Sequence, residues 1–118
     1  MNKKLIYVGG KYGGVEENKK LIEKAISHLK TMDKDKLNSV FLFDMTEKVY
    51  ISPMHSFGFM YEDTEYLEGL DYCLTLLSKC DECVLLSNWE ESTGAKIEYG
   101  FCKGHDILIK ILDINKFA

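Results

Sequence analysis

The stretch Cys83-Val84-Leu85-Leu86-Ser87-Asn88-Trp89-Glu90-Glu91-Ser92-Thr93-Gly94-Ala95-Lys96-Ile97-Glu98-Tyr99-Gly100 decides the reading of this chain. The first four residues form a short apolar run rich in strand formers, which reads as a buried strand. Small and hydroxylated residues follow, then a helical pattern that carries a carboxylate, Glu98, within its first two turns. A strand, a turn of small residues and a helix together make a βα unit. At such a junction the helix start offers free N–H groups to an anion, and glycine lets a ligand approach the backbone. A carboxylate held beside that pocket is a candidate nucleophile or base.

The same alternation extends in both directions. Leu5-Ile6-Tyr7-Val8 is an apolar run closed by a glycine cluster and reads as the first strand. From Val15 to Lys30, Leu21, Ile22, Ala25, Ile26 and Leu29 recur at helical spacing, and Thr31 to Asn38 is expected to be a charged loop. Ser39–Asp44 and Lys48–Ile51 are both β-like, either one bent strand or a hairpin. Pro53–Asp63 reads as a loop rich in aromatics and Met. Thr64–Lys79 is expected to be a helix with Leu67, Leu70, Leu74 and Leu77 in its core stripe, Ser92–Lys103 a third helix, and Ile107–Leu112 the last strand. Strands alternating with helices predict an α/β fold: one flavodoxin-like or Rossmann-like domain, a parallel sheet flanked by helices.

Bulk composition narrows the function. The chain has 118 residues, 46% hydrophobic and 29% charged, which suits one globular domain. Its net charge is −4 and all 15 basic residues are Lys. An acidic chain without Arg is a poor partner for nucleic acid polymers, and it must hold any phosphate by backbone N–H, hydroxyl or Lys. The apolar run after Met1-Asn2-Lys3-Lys4 is too short for a secretory leader, and no stretch has the length of a membrane span. The four Cys therefore read as reduced thiols in a cytoplasmic protein. The Cys80-x-x-Cys83 spacing falls at a helix–strand junction with no nearby His, so buried small residues are expected there rather than a metal site.

Three constellations carry chemistry. Gly9-Gly10-Lys11-Tyr12-Gly13-Gly14 lies where the first strand meets the first helix, a place for amides to cradle a phosphate or ribose. It is neither a P-loop nor a dinucleotide fingerprint, because the glycine spacing and the closing Gly-Lys-Ser/Thr are absent. In a doubly wound sheet this loop faces the Asn88–Thr93 loop across the crevice at the strand-order reversal. In the second constellation, Ser92 or Thr93 is an N-cap or a ligand group. Gly94 and Glu98 share one helix face there, and Tyr7 is placed to orient Glu98. In the third, His55 with Phe57, Phe59 and Met60 forms either core or a lid over a flat apolar ligand such as a nucleobase.

Read in order, these segments resemble a known family. The first strand is followed by Gly9-Gly10-x-x-Gly13-Gly14-x-Glu16-Glu17-Asn18 and Ser52-Pro53-x-His55. Leu76-Leu77-x-x-Cys80-Asp81 and Trp89-Glu90-x-Ser92-x-Gly94-Ala95-x-x-Glu98 come after them. Together they are similar to the nucleoside 2-deoxyribosyltransferase-like superfamily, which includes the 2'-deoxynucleoside 5'-phosphate N-hydrolases. The resemblance implies cleavage of an N-glycosidic bond, with Glu98 the nucleophile that attacks the anomeric carbon and Tyr7 the residue that steers it. With the facing loops and the aromatic segment described above, the expected substrate-binding residues are Gly9, Gly10, Tyr12, Gly13, His55, Phe57, Asn88, Ser92 and Gly94. Ser92 falls where phosphate-preferring members carry Ser, which points to nucleoside monophosphates. The partners implied are a small-molecule nucleoside or nucleotide and further copies of the chain, a dimer or larger homo-oligomer. No cofactor, metal, membrane or nucleic acid polymer is called for. One departure stands out: eight positions before Asp81, where the resemblance expects an Asp that assists the leaving base, the chain has Cys73.

Overall fold

The computed structural model describes residues 3–12, 15–37, 47–57 and 66–118, with the backbone alone for 36 and 37. The expected Ser39–Asp44 strand segment, Gly13, Gly14, Phe59 and Met60 lie outside the described residues. Strand β1 (Lys3–Gly9) leads to helix α1 (Glu16–Leu37), β2 (Glu47–Ile51), a short α2 (Pro53–Phe57) and α3 (Tyr66–Ser78). The chain continues through β3 (Glu82–Leu86), a 3₁₀ turn at Trp89–Glu91, α4 (Thr93–Gly104), β4 (Leu108–Leu112) and a last 3₁₀ turn at Ile114–Lys116. The described strands form one parallel sheet in the order β2-β1-β3-β4. This is the single flavodoxin-like α/β domain expected from the alternation of elements. No helix among the described residues is long and apolar enough to cross a membrane.

Side-chain alternation along the two central strands divides the core into two layers. Ile6 and Val8 of β1 and Val84 and Leu86 of β3 face Ile22 and Ala25 of α1. Tyr7, Cys83 and Leu85 face the opposite way, against Leu77 of α3 and Cys102 of α4. The strand order makes β1 and β3 the central pair, and the direction of winding reverses between them. The crevice where such folds take ligands therefore opens at the carboxyl ends of β1 and β3.

At the other end of that pair, Asp81 is a clasp. Its Oδ2 accepts from the Leu5 N–H at 2.7 Å, while its own N–H donates to the Leu5 carbonyl at 2.8 Å. Glu82, buried beside it, sits between Lys4 (3.6 Å) and Lys110 (3.2 Å) on the flanking strands. The Cys80-Asp81 pair of the resemblance thus aligns β1 with β3, far down the strands from the crevice.

Two boundaries differ from expectation. Helix α1 runs on to Leu37 through the segment expected as a charged loop. Its later turns are held to β2, since Asp33 accepts from the Tyr50 hydroxyl and pairs with Lys48 at 3.6 Å. Residues 53–57 are helical rather than loop: Pro53 takes the first helical position, where its missing N–H costs nothing, and the Ser52 carbonyl accepts from His55 and Ser56.

Candidate active site at the strand-order reversal

The site begins with where β1 points its side chains. Leu5, Tyr7 and Gly9 share the face toward α3 and α4, so the strand carries a phenol and then an empty position to the rim of the crevice. From above, α4 lays Ala95, Glu98 and Cys102 against the sheet, a stripe at i, i+3 and i+7. That spacing drives a carboxylate into a layer otherwise made of thiols and apolar groups, with 6% of the residue still accessible.

Tyr7 meets it there. The Tyr7 hydroxyl donates a hydrogen bond to Glu98 Oε2. Burial pushes the Glu98 carboxyl up to about 7, and the bond from Tyr7 pulls against that shift. Burial, and next the Glu98 charge, raise the Tyr7 phenol well above its usual range, so Tyr7 stays a donor at neutral pH. The carboxylate thus titrates at working pH, where a nucleophile or base is useful.

Gly9 supplies the opening. A Cβ there would stand 3.2 Å from Leu85 Cδ2, 3.2 Å from Tyr7 Cε1 and 3.6 Å from Glu98 Oε1. Gly9, rather than Gly94, leaves room before the carboxylate, because a Gly94 Cβ would meet Tyr66 Oη and Ser92 Oγ instead. Gly9→Ala is expected to destabilise the fold by about 1–2 kcal/mol through overpacking. It should also lower activity more than stability, which parallel denaturant melts and rate measurements would separate. Activity equal to wild type in a folded Gly9→Ala protein would remove Gly9 from the site.

The loops after β1 and β3 do face one another. A Gly10 Cβ would lie 3.1 Å from Asn88 Oδ1, and that oxygen accepts from the Lys11 N–H at 3.4 Å. Lys11 Nζ reaches Glu91 Oε1 at 3.1 Å. Ser92 caps α4, its Oγ accepting from the Ala95 N–H at 3.2 Å. Tyr12 turns away, packing against the α1-side core while its carbonyl accepts from Asn18 Nδ2 at 3.0 Å. Gly13, expected with this loop, lies outside the described residues.

The structure does not bring His55 to this group. Its ring bonds Ser52 Oγ at 3.0 Å and Glu23 Oε2 of α1 at 2.9 Å, so it faces the α1 side of the sheet, away from the layer that holds Glu98. Phe57 packs edge-on against Tyr72 of α3 with ring centroids 5.6 Å apart.

Two neighbours of Glu98 and its helix were not singled out as site residues in the sequence. Cys73 on α3 places its thiol against Tyr7 and near Glu98; burial, with the Glu98 charge, pushes it up to about 11, so it is a neutral thiol at physiological pH. Trp89 stacks on Tyr99, with centroids 4.5 Å apart and planes 8° apart, which fixes the turn after β3 to α4. All four cysteines are free; Cys80 donates to the Leu76 carbonyl at 3.3 Å, and Cys83 and Cys102 are buried in the same core layer.

The chain is thus an α/β protein with a parallel sheet and a buried, hydrogen-bonded carboxylate at the reversal point, the position where open sheets of this class take ligands when they bind them. Residues 4–111 match the family model described as a domain of unknown function, DUF4406, and the chain belongs to that family. No curated protein and no solved structure matches it.

Proposed function

We propose that this protein acts on the N-glycosidic bond of a nucleoside or nucleoside 5'-monophosphate, hydrolysing it or transferring its deoxyribosyl group, through a covalent intermediate on Glu98. The observation that carries this reading is the Tyr7–Glu98 hydrogen bond beneath Gly9, at the reversal point between β1 and β3. Glu98 Oε1 attacks C1' as the C1'–N bond breaks and the electron pair leaves with the base. Water or a second base then attacks C1', and the carboxylate is released. Splitting the displacement in two beside a carboxylate is the logic of retaining glycosidases. Tyr7 is a positioning residue that holds Oε2 and leaves Oε1 to react. The protein works in the cytoplasm as a homo-oligomer, a reading supported by its free thiols and by the exposed Leu108 and Ile111 of edge strand β4.

A second reading, a nucleotide-binding module with weak turnover, draws support from Cys73. A neutral thiol stands near Tyr7 and Glu98, where the resemblance expects a carboxyl group to assist the leaving base. Incubation with deoxynucleosides and their 5'-monophosphates, followed by chromatography of free base, separates the two. Base release supports the first reading. Thermal stabilisation by nucleotides without base release supports the second, and the absence of both effects would discard both readings.

A further inference from the structure

We propose that Ser52, His55 and Glu23 form a second catalytic site, an acyl-transfer centre that hydrolyses small carboxylic esters, on the opposite side of the sheet from Glu98. Ser52 is the single residue between β2, which ends at Ile51, and α2, which starts at Pro53. A hydroxyl at such a strand-to-helix turn stands at the carboxyl edge of the sheet, where α/β hydrolytic enzymes place a nucleophilic serine. Ser52 Oγ lies 3.0 Å from His55 Nδ1, and His55 Nε2 lies 2.9 Å from Glu23 Oε2 on α1. The three residues line an open cleft of about 440 Å³. Ile26 and Tyr50, whose hydroxyl is taken by Asp33, give that cleft an apolar wall for the acyl group. The reaction proposed for Glu98 uses none of these groups, and this inference does not rest on it.

The direction of the hydrogen bonds follows from Glu23. An ionised carboxylate only accepts, and its bond to the His55 ring holds the Glu23 carboxyl below its usual range. Nε2 of the neutral ring therefore carries the proton, and Nδ1 presents its lone pair to the Ser52 hydroxyl. Ser52 is the nucleophile, His55 the base and Glu23 the positioning residue that fixes the tautomer. A simple tie between α2 and α1 would need His55 and Glu23, but no buried hydroxyl aimed at the ring. In the first step Ser52 Oγ bonds to the ester carbonyl carbon, and its proton passes to Nδ1. The C–O bond to the alcohol breaks, and the alcohol leaves with that proton. Water then attacks the acyl-serine and gives a proton to Nδ1; the carboxylic acid departs as Ser52 Oγ takes that proton back. Pro53 has no N–H to offer the oxyanion, which falls to the hydroxyls of Ser27 and Ser56 on the cleft wall.

A fluorophosphonate probe and p-nitrophenyl acetate test this on the full chain. The probe should phosphonylate Ser52 of the wild-type protein with loss of fluoride, and mass spectrometry of the digested protein should place the label there. Hydrolysis of p-nitrophenyl acetate should fall on the order of a hundredfold in Ser52→Ala and in His55→Gln. Glu23→Gln should lower kcat about tenfold or more and leave KM in place, because Glu23 acts through the ring and an amide can donate to Nε2 and release the tautomer. A merely structural tie would change stability in urea melts without that split between kcat and KM. The labelling needs no variant, so it decides the matter even where a substituted chain fails to fold. The proposal is overturned if the wild-type protein takes no label at Ser52, or if folded Ser52→Ala hydrolyses the ester as fast as wild type. Label on Ser52 together with an unchanged kcat in Glu23→Gln would overturn the role given to Glu23.

Discussion

Glu98→Ala and Glu98→Gln should each reduce base release by on the order of a thousandfold or more while leaving the fold intact, because the proposed reaction needs a carboxylate oxygen to bond to C1', and Ala has none while Gln offers only a neutral amide. The pH profile makes the test sharper than the loss alone. Attack needs the ionised carboxylate, and burial holds the Glu98 carboxyl up at about 7, so the wild-type rate should climb as pH rises through about 7 and level off above it. Tyr7→Phe removes a hydrogen bond that favours the ionised form. The midpoint of the climb should therefore move upward, and the largest loss of rate should appear on the acid side. A merely structural Tyr7 would lower the rate equally at every pH. A rate that survives in Glu98→Gln would rule out Glu98 as nucleophile, and a profile that Tyr7→Phe does not displace would remove Tyr7 as its positioning residue.

The fold was legible because its signals are local. Four-residue apolar runs at Leu5 and Cys83, each ending in small residues before a helical pattern, fix the parallel sheet without long-range information. Facing loops after β1 and β3 then follow from winding alone, and the Gly10–Asn88 approach and the Lys11–Asn88 bond place them together. The helical segments that differ from expectation depend on contacts or small cues. The late turns of α1 lean on Tyr50 and Lys48, which no periodicity within the helix records. The Ser52-Pro53 pair is a helix-start signal, but the aromatics that follow it give the segment the composition of a loop.

The candidate site divides in the same way. Tyr7 and Glu98 are visible as residue types on neighbouring elements, but the source of the open space before Glu98 is not. Periodicity along α4 suggests Gly94, four residues away, whereas the sheet brings Gly9 within contact of the carboxylate. His55 shows the converse: a conspicuous residue type in a conspicuous motif, whose side is set by where the end of β2 meets α1. Cys73 stood out only as a departure from a pattern, and its position near Glu98 comes from the packing of α3 on the sheet.

Glu98 also makes the protein less stable at the pH where it is needed, and removing its charge should reverse that. Its carboxyl is raised from an ordinary 4.5 to about 7 by burial. Below about 4.5 it is protonated in folded and unfolded chains alike, and the fold keeps its full stability. Between 4.5 and 7 the unfolded chain ionises while the folded one holds its proton, so stability falls with rising pH and the loss is complete once the folded group ionises. A shift of that size corresponds to about 3 kcal/mol. The Cys73 and Cys80 thiols, raised to about 11, stay protonated across this window and leave the slope to Glu98. Glu23, lowered by its bond to His55, acts equally in both proteins and cancels in the comparison. Glu98→Gln keeps an acceptor for Tyr7 and has no charge to bury. It should match wild type near pH 4 and exceed it by about 2–3 kcal/mol at pH 8, read from urea melts at each pH. Parallel stability profiles for the two proteins would mean that Glu98 is not held in a desolvating pocket. A stabilised but inactive Glu98→Gln would instead mark the residue as one kept for chemistry at the expense of the fold.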